Sequence, residues 1–404
     1  MLLPIEKPTS SMLFDSHKIN KSGGAMERRQ FIRYGLTGLA AILVNVPAGM
    51  PKIFRESEAL AAAQTVDLTF SEAMIEMSDF TQVYFWAFQT PTLGPRVPGP
   101  IILANEGDPI TVKLTNALDE PHAFSIPGVV DSGLILAGES KVVTFTAPKA
   151  GTYLYLDPLN APVNRILGLQ GAMIVSPVSG NTPYSAPTPQ AQSLFNDLGN
   201  SPQFPGNPWD PARYWIWLLN SIDPSFNSLA LNNQPISPVD LKQNFLPRYF
   251  TINGRSGYFA AHNPDTVPEG RIGEPALIRI LNAGLAIHSL HIHGNHIYVL
   301  ALNGVVQKNL FLIDTFPLRP LERMDWLLPF VKPPDIPPNA NWPPTQELNL
   351  ILGGMRQSPL AFPMHDHTEM SQTAAGGNYP MGMVTDWEIT GDITLPGGPV
   401  DFPH

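Results

Sequence analysis

The chain reads as an all-β protein folded into two β-sandwich domains, and three observations carry that prediction. Short runs in which apolar and polar residues alternate recur along most of its length, the period of a half-buried strand. The 44 prolines and 32 glycines cut those runs to strand length and supply turns. With 404 residues and only 14% charged side chains, the chain is long enough for two cores and too apolar to be disordered.

Strand-like text begins after residue 64 and fills residues 64–180, the first predicted domain, with runs at 110–114, 142–145 and 151–155. Residues 181–210 are rich in Pro, Ser and Asn and read as a linker. Strand text resumes in residues 211–404, the second predicted domain, with runs at 213–218, 249–254, 276–280, 297–300 and 383–387. The proline-dense stretch 329–344 inside that domain is expected to be an irregular loop.

Residues 1–63 read as an N-terminal extension and export signal. Arg28 and Arg29 precede an apolar run at 34–46, and small residues gather at 59–63, the order of a cleaved secretory signal with the paired arginines of the twin-arginine route. Met26 is then an alternative start, and a periplasmic or extracellular location follows. The apolar run is too short for a stable membrane span. A net charge of −10, without a basic stripe or a phosphate-binding glycine loop, argues against nucleic acid as a partner. The absence of cysteine removes disulfides, thiol nucleophiles and thiolate metal ligands.

Two histidine clusters carry the chemistry: His288, His291 and His293, then His365 and His367 about seventy residues later. On a strand, side chains two apart share a face, so each His-x-His unit presents a pair of imidazoles. Four imidazoles that converge suit copper, zinc or a similar ion. A lone histidine, His122, reads as a surface loop residue. Met364, Met370, Met381 and Met383 read as core fillers.

The order of motifs resembles the multicopper oxidase family from about residue 66 to 389. Val97-Pro98-Gly99-Pro100, Glu106-Gly107-Asp108 and Asn116-Ala117-Leu118 resemble the family's opening domain. The text from Ile252-Asn253-Gly254-Arg255 through His288-Ser289-Leu290-His291-Ile292-His293-Gly294 to His365-Asp366-His367 and Gly382-Met383 resembles its last. The resemblance implies two cupredoxin-like Greek-key sandwiches. It implies a type 2 copper role for His291, and type 3 roles for His293, His365 and His367. The first-domain ligand positions would fall on residues 125–128 and 156–158, which hold no histidine. The type 1 cysteine position falls on Asp366, its first histidine on His288, its axial methionine on Met383, and its second histidine near Ser371.

Half a trinuclear ligand set points to a single ion, copper by family, with zinc or manganese as alternatives. The expected function is an oxidoreductase acting on a small molecule or dioxygen, and a classical laccase is excluded by the missing thiolate. The alternative is a non-enzymatic metal-binding or structural protein of the cell envelope. Glu369 and Asp314 are the candidate outer hydrogen-bond partners of the ligands. Two-domain relatives imply a homo-trimer.

Overall fold

The computed structural model describes residues 65–333 and 360–402, which fall in one compact unit. The predicted export signal and most of the proline-dense loop lie outside the described residues. Among the described residues no helix is long and apolar enough to cross a membrane.

The chain is all-β and two-domain. The first part contains β1 (Thr65–Glu76), β2 (Gln82–Gln89), β3 (Ile102–Asn105), β4 (Pro109–Asn116), β5 (Ser125–Ile126), β6 (Val130–Asp131), β7 (Ser140–Thr146), β8 (Gly151–Leu156) and β9 (Gln170–Ser176). The second contains β10 (Tyr214–Ile222), β11 (Tyr249–Ile252), β12 (Glu269–Ile272), β13 (Ala276–Asn282), β14 (His288–Ile292), β15 (Ile297–Leu302), β16 (Val305–Val306) and β17 (Leu312–Ile313). It continues with β18 (Thr315–Leu318), β19 (Arg323–Leu328), β20 (Leu360–Asp366), β21 (Val384–Asp392) and β22 (Val400–Asp401).

The two sandwiches repeat one strand order. In the first, sheets β2-β1-β4-β7 and β3-β9-β8-β5-β6 face each other across a core containing Phe70, Trp86, Phe124 and Tyr155. In the second, β11-β10-β13-β19 and β12-β21-β20-β14-β18 run in the same sequence, the first sheet extended by β15 and β16. Parallel pairs recur at matching places, β1 with β4 and β10 with β13.

Burial explains why some strands alternate and others do not. β4 and β21 alternate because one face meets the core and the other does not. β10 is buried over nearly its whole length. One of its faces lines its own core, while Ile216 and Leu218 pack with Leu154, Leu156, Ala172 and Ile174 of the first sandwich.

Polar bonds fasten that apolar layer. Arg165, whose guanidinium burial pushes down to about 10, donates to the carbonyls of Ala283 and Gly284. Thr152 of the first sandwich donates to Asp325 of the second at 2.6 Å.

Residues 181–210 are compactly packed. The helix Pro189–Asp197 starts at Thr188, whose hydroxyl accepts from the Ala191 amide, with proline in the first turn. Tyr184, Phe195, Phe204 and Trp209 cover the outer face of the second sandwich against Leu277, Leu300 and Leu327. Two further helices, Pro224–Leu231 and Pro238–Asn244, begin with the same cap-then-proline pattern at Asp223 and Ser237.

Candidate metal centre

Alternation along β14 decides what each histidine does. His288, Leu290 and Ile292 point into the core, while Ser289 and His291 lie on the outer side. His293 follows at the strand's end, where Gly294 turns the chain at φ +72°. A Cβ there would stand 2.4 Å from the Phe362 ring, so both the backbone angle and the close approach require glycine.

β20 lies antiparallel beside β14 and places His365 directly opposite His291. Cross-strand neighbours of this kind share a face. The nitrogens offered by His291, His293 and His365 all lie within 4.8 Å of one another. The His293 and His365 Nε2 atoms are 3.1 Å apart. His367, just past β20, is exposed, its ring centre 5.4 Å from that of His291 and 6.1 Å from that of His365.

Hydrogen bonds fix the tautomers. His291 Nδ1 donates to the Asp314 carbonyl at 3.0 Å and lies 2.7 Å from the Thr315 hydroxyl. His365 Nδ1 donates to the Asp366 carbonyl at 3.1 Å. Carbonyl oxygens only accept, so Nδ1 carries the proton on both rings and each Nε2 presents a lone pair. Asp314 therefore serves through its backbone rather than its carboxylate. Glu369 sits exposed in the one-turn helix Glu369–Gln372. Burial, then the neighbouring His293, holds the His291 pKa below its usual value, which favours the neutral ligand form.

Behind this rim, His288, Asp366, Ser371 and Met383 converge in the core, each no more than 1% exposed. His288 Nδ1 and Asp366 Oδ2 are 2.5 Å apart, and the Ser371 hydroxyl donates to the same oxygen at 2.6 Å. Asp366 Oδ1 accepts from the amides of Ser289 at 2.7 Å and Thr368 at 3.1 Å. Burial pushes the Asp366 pKa up, but the bonds from His288, Ser371 and Ser289 outweigh it and hold it below the usual carboxylate value. Ser221 Oγ lies 3.2 Å from His288 Nε2, completing a Ser-His-Asp line. All three side chains are sealed in the core, so the serine has no route to a substrate.

The first sandwich contains the same pair. His122 Nδ1 meets Asp157 Oδ2 at 2.7 Å, and Asn164 donates to that oxygen at 2.8 Å. His122 is fully buried between Phe70 and Trp86, which corrects the expectation of a surface loop residue. The proline before it and its isolation resemble a loop, but it sits three residues before Ser125 just as His288 sits three before His291. That shared offset was the available signal. Ser125 pairs with Leu156 as His291 pairs with His365.

Met364 and Met383 are core residues as expected, whereas Met370 is 58% exposed. His296 is exposed beside the rim.

The profile of a family described as multicopper oxidase matches residues 87–180. In that stretch the chain is similar to the multicopper oxidase family. Laccase-24 of Oryza sativa subsp. japonica is 24% identical over 67% of this chain and 44% of its own length. The L-ascorbate oxidase of Cucumis sativus is 35% identical over 21% of the chain and 16% of its own length. The chain thus spans less than half the length of either curated relative. Among solved structures, the blue copper oxidase from Nitrosomonas europaea superposes with a TM-score of 0.57 at 22% identity, covering 80% of this chain and 85% of that one. At that identity the superposition speaks for the fold.

Proposed function

We propose that this multicopper oxidase relative holds one metal ion, copper, on His291, His293, His365 and His367, and acts there as an oxidoreductase on a small molecule or dioxygen. The observation that carries the reading is the convergence of three imidazole nitrogens within 4.8 Å, with His367 beside them. The donor set fits copper or zinc, since it is all imidazole and the Nε2 lone pairs of His291 and His365 are already exposed by their Nδ1 bonds. Manganese, which favours oxygen ligands, ranks below both.

A blue copper centre does not fit. The chain has no cysteine, and the corresponding carboxylate is spent on His288 and Ser371. A three-copper cluster does not fit within one chain either, because Ser125, Pro127, Leu156 and Pro158 stand at the first-domain positions.

Bound at the rim, copper would supply one-electron redox chemistry. The protein's part is to hold His291 and His365 by their Nδ1 bonds, so that each Nε2 is free to bind. Because the His365 Nε2 carries a lone pair, the facing Nε2 of His293 carries the hydrogen in the metal-free pair, and binding through that nitrogen would shift the hydrogen to Nδ1 of the same ring. Exposure of His293 and His367 leaves the set open on the solvent side, which favours a reactive centre over a closed structural site.

The paired arginines Arg28 and Arg29 and the apolar run after them support export by the twin-arginine route. Replacing both with lysine should leave the protein in the cytoplasmic fraction.

Elemental analysis of the protein from its native compartment tests the metal reading. About one copper per chain is expected, and less than about 0.2 of any metal sinks it. A strong blue absorption band or vigorous oxidation of phenols would sink the claim that no type 1 centre operates.

A further inference from the structure

Asp366 is flanked in sequence by two of the rim histidines, yet its side chain points the other way, into the core, where it is fully buried. A buried carboxylate is costly unless its oxygens are satisfied, and this one is satisfied from both strands of the site. His288 and the Ser289 amide reach it from β14, while the Thr368 amide and the Ser371 hydroxyl reach it from beyond β20. The Ser289 carbonyl in turn accepts from the His367 amide at 2.8 Å, and the Asp366 amide donates to the Met383 carbonyl at 3.1 Å.

We propose that Asp366 is the positioning residue of the histidine rim: its carboxylate clamps β14 to the end of β20, and so sets the spacing of His365 and His367 against His291. The proposal rests on the metal reading for its consequence, but the clamp itself exists without metal. Because Asp366 lies between His365 and His367, any shift of its backbone moves both rings. The first sandwich supplies an internal control. Asp157 makes the same kind of buried cluster with His122, Asn164 and the Leu159 amide, but its neighbours are Leu156 and Pro158, not histidines.

The test compares wild type, Asp366→Asn and Asp157→Asn by imidazole nitrogen–proton correlation spectra of the metal-free protein and by titration with copper(II). In Asp366→Asn the ring signals of His291 and His365 should move or broaden while those of His262, whose ring stacks on Tyr258 and bonds the Tyr258 carbonyl, hold still, and the copper dissociation constant should rise about ten- to hundredfold. Asp157→Asn should lose comparable thermal stability and change neither readout. Should Asp366→Asn fail to fold, Ser371→Ala, which removes one bond to the clamp, should shift the same signals in the same direction. The clamp is overturned if the ring signals stay at their wild-type positions in the folded Asp366 or Ser371 variant, or if Asp157→Asn disturbs the rim equally. Wild-type protein that takes up no copper would overturn the metal reading alone, since the ring spectra decide the clamp without it.

Discussion

At the ends of β14 and β20 the second sandwich carries His291, His293, His365 and His367; at the corresponding places of β5 and β8 the first carries Ser125, Pro127, Leu156 and Pro158. Behind these rims both sandwiches keep a buried His-Asp pair, His288 with Asp366 and His122 with Asp157, each supported by a third polar side chain. The difference teaches that core pair and rim are separable. A sandwich keeps its pair whether or not histidines stand in front of it, so the pair serves folding in both, and the metal chemistry proposed for the rim belongs to one.

The largest effect expected of that division is on metal content. His293→Ala and His365→Ala should each lower bound copper from about one per chain to under about 0.2, while Pro127→Ala should change nothing. Equal loss from the Pro127 variant would break the comparison outright.

Next is the cost of splitting either pair. His122→Ala and His288→Ala each strand a buried carboxylate and should cost about 3–5 kcal/mol in urea unfolding. A loss under about 1 kcal/mol at His122 would mean that the first pair is an accident of packing.

The two register-matched positions should then show opposite sensitivities. Leu156→Ala removes a side chain from the layer between the sandwiches and should cost about 2–4 kcal/mol. His365→Ala, on the outer side, should change metal-free stability by less than about 0.5 kcal/mol.

The smallest effect is in acid. Since bonds within the fold hold the Asp366 pKa below its unfolded value, its contribution is present in full above the ordinary carboxylate range and disappears as pH falls through the lowered one. Urea midpoints measured downward from pH 5 should therefore fall less steeply in Asp366→Asn than in wild type.

Much of this was legible beforehand. The runs at 110–114, 142–145, 213–218 and 276–280 appear as β4, β7, β10 and β13, because alternation and turn residues act locally. His291, His293 and His365 come together as the His-x-His spacing implies. The short helices were not anticipated, although Thr188-Pro189, Asp223-Pro224 and Ser237-Pro238 each spell a cap and first turn. The burial of His122 is hidden from the sequence for a different reason. Its partner Asp157 lies 35 residues away, and no local pattern reveals a buried polar pair that long-range topology assembles. Comparing the two halves with each other, rather than either with a general rule, exposes it.

Leu156 ties one position of the first rim to the contact between the sandwiches. Three of its rim positions, Ser125, Pro127 and Pro158, stand outside the apolar layer, but Leu156 packs within it against Ile216, Leu218 and Leu281. An imidazole placed there would be a buried polar group without a partner, a penalty of roughly 1–3 kcal/mol before any ligand could repay it. With the domain contact closed over that position, Leu156→His is unfavourable whatever stands at the other three. The contact between the sandwiches thus limits which side chains the first rim can carry.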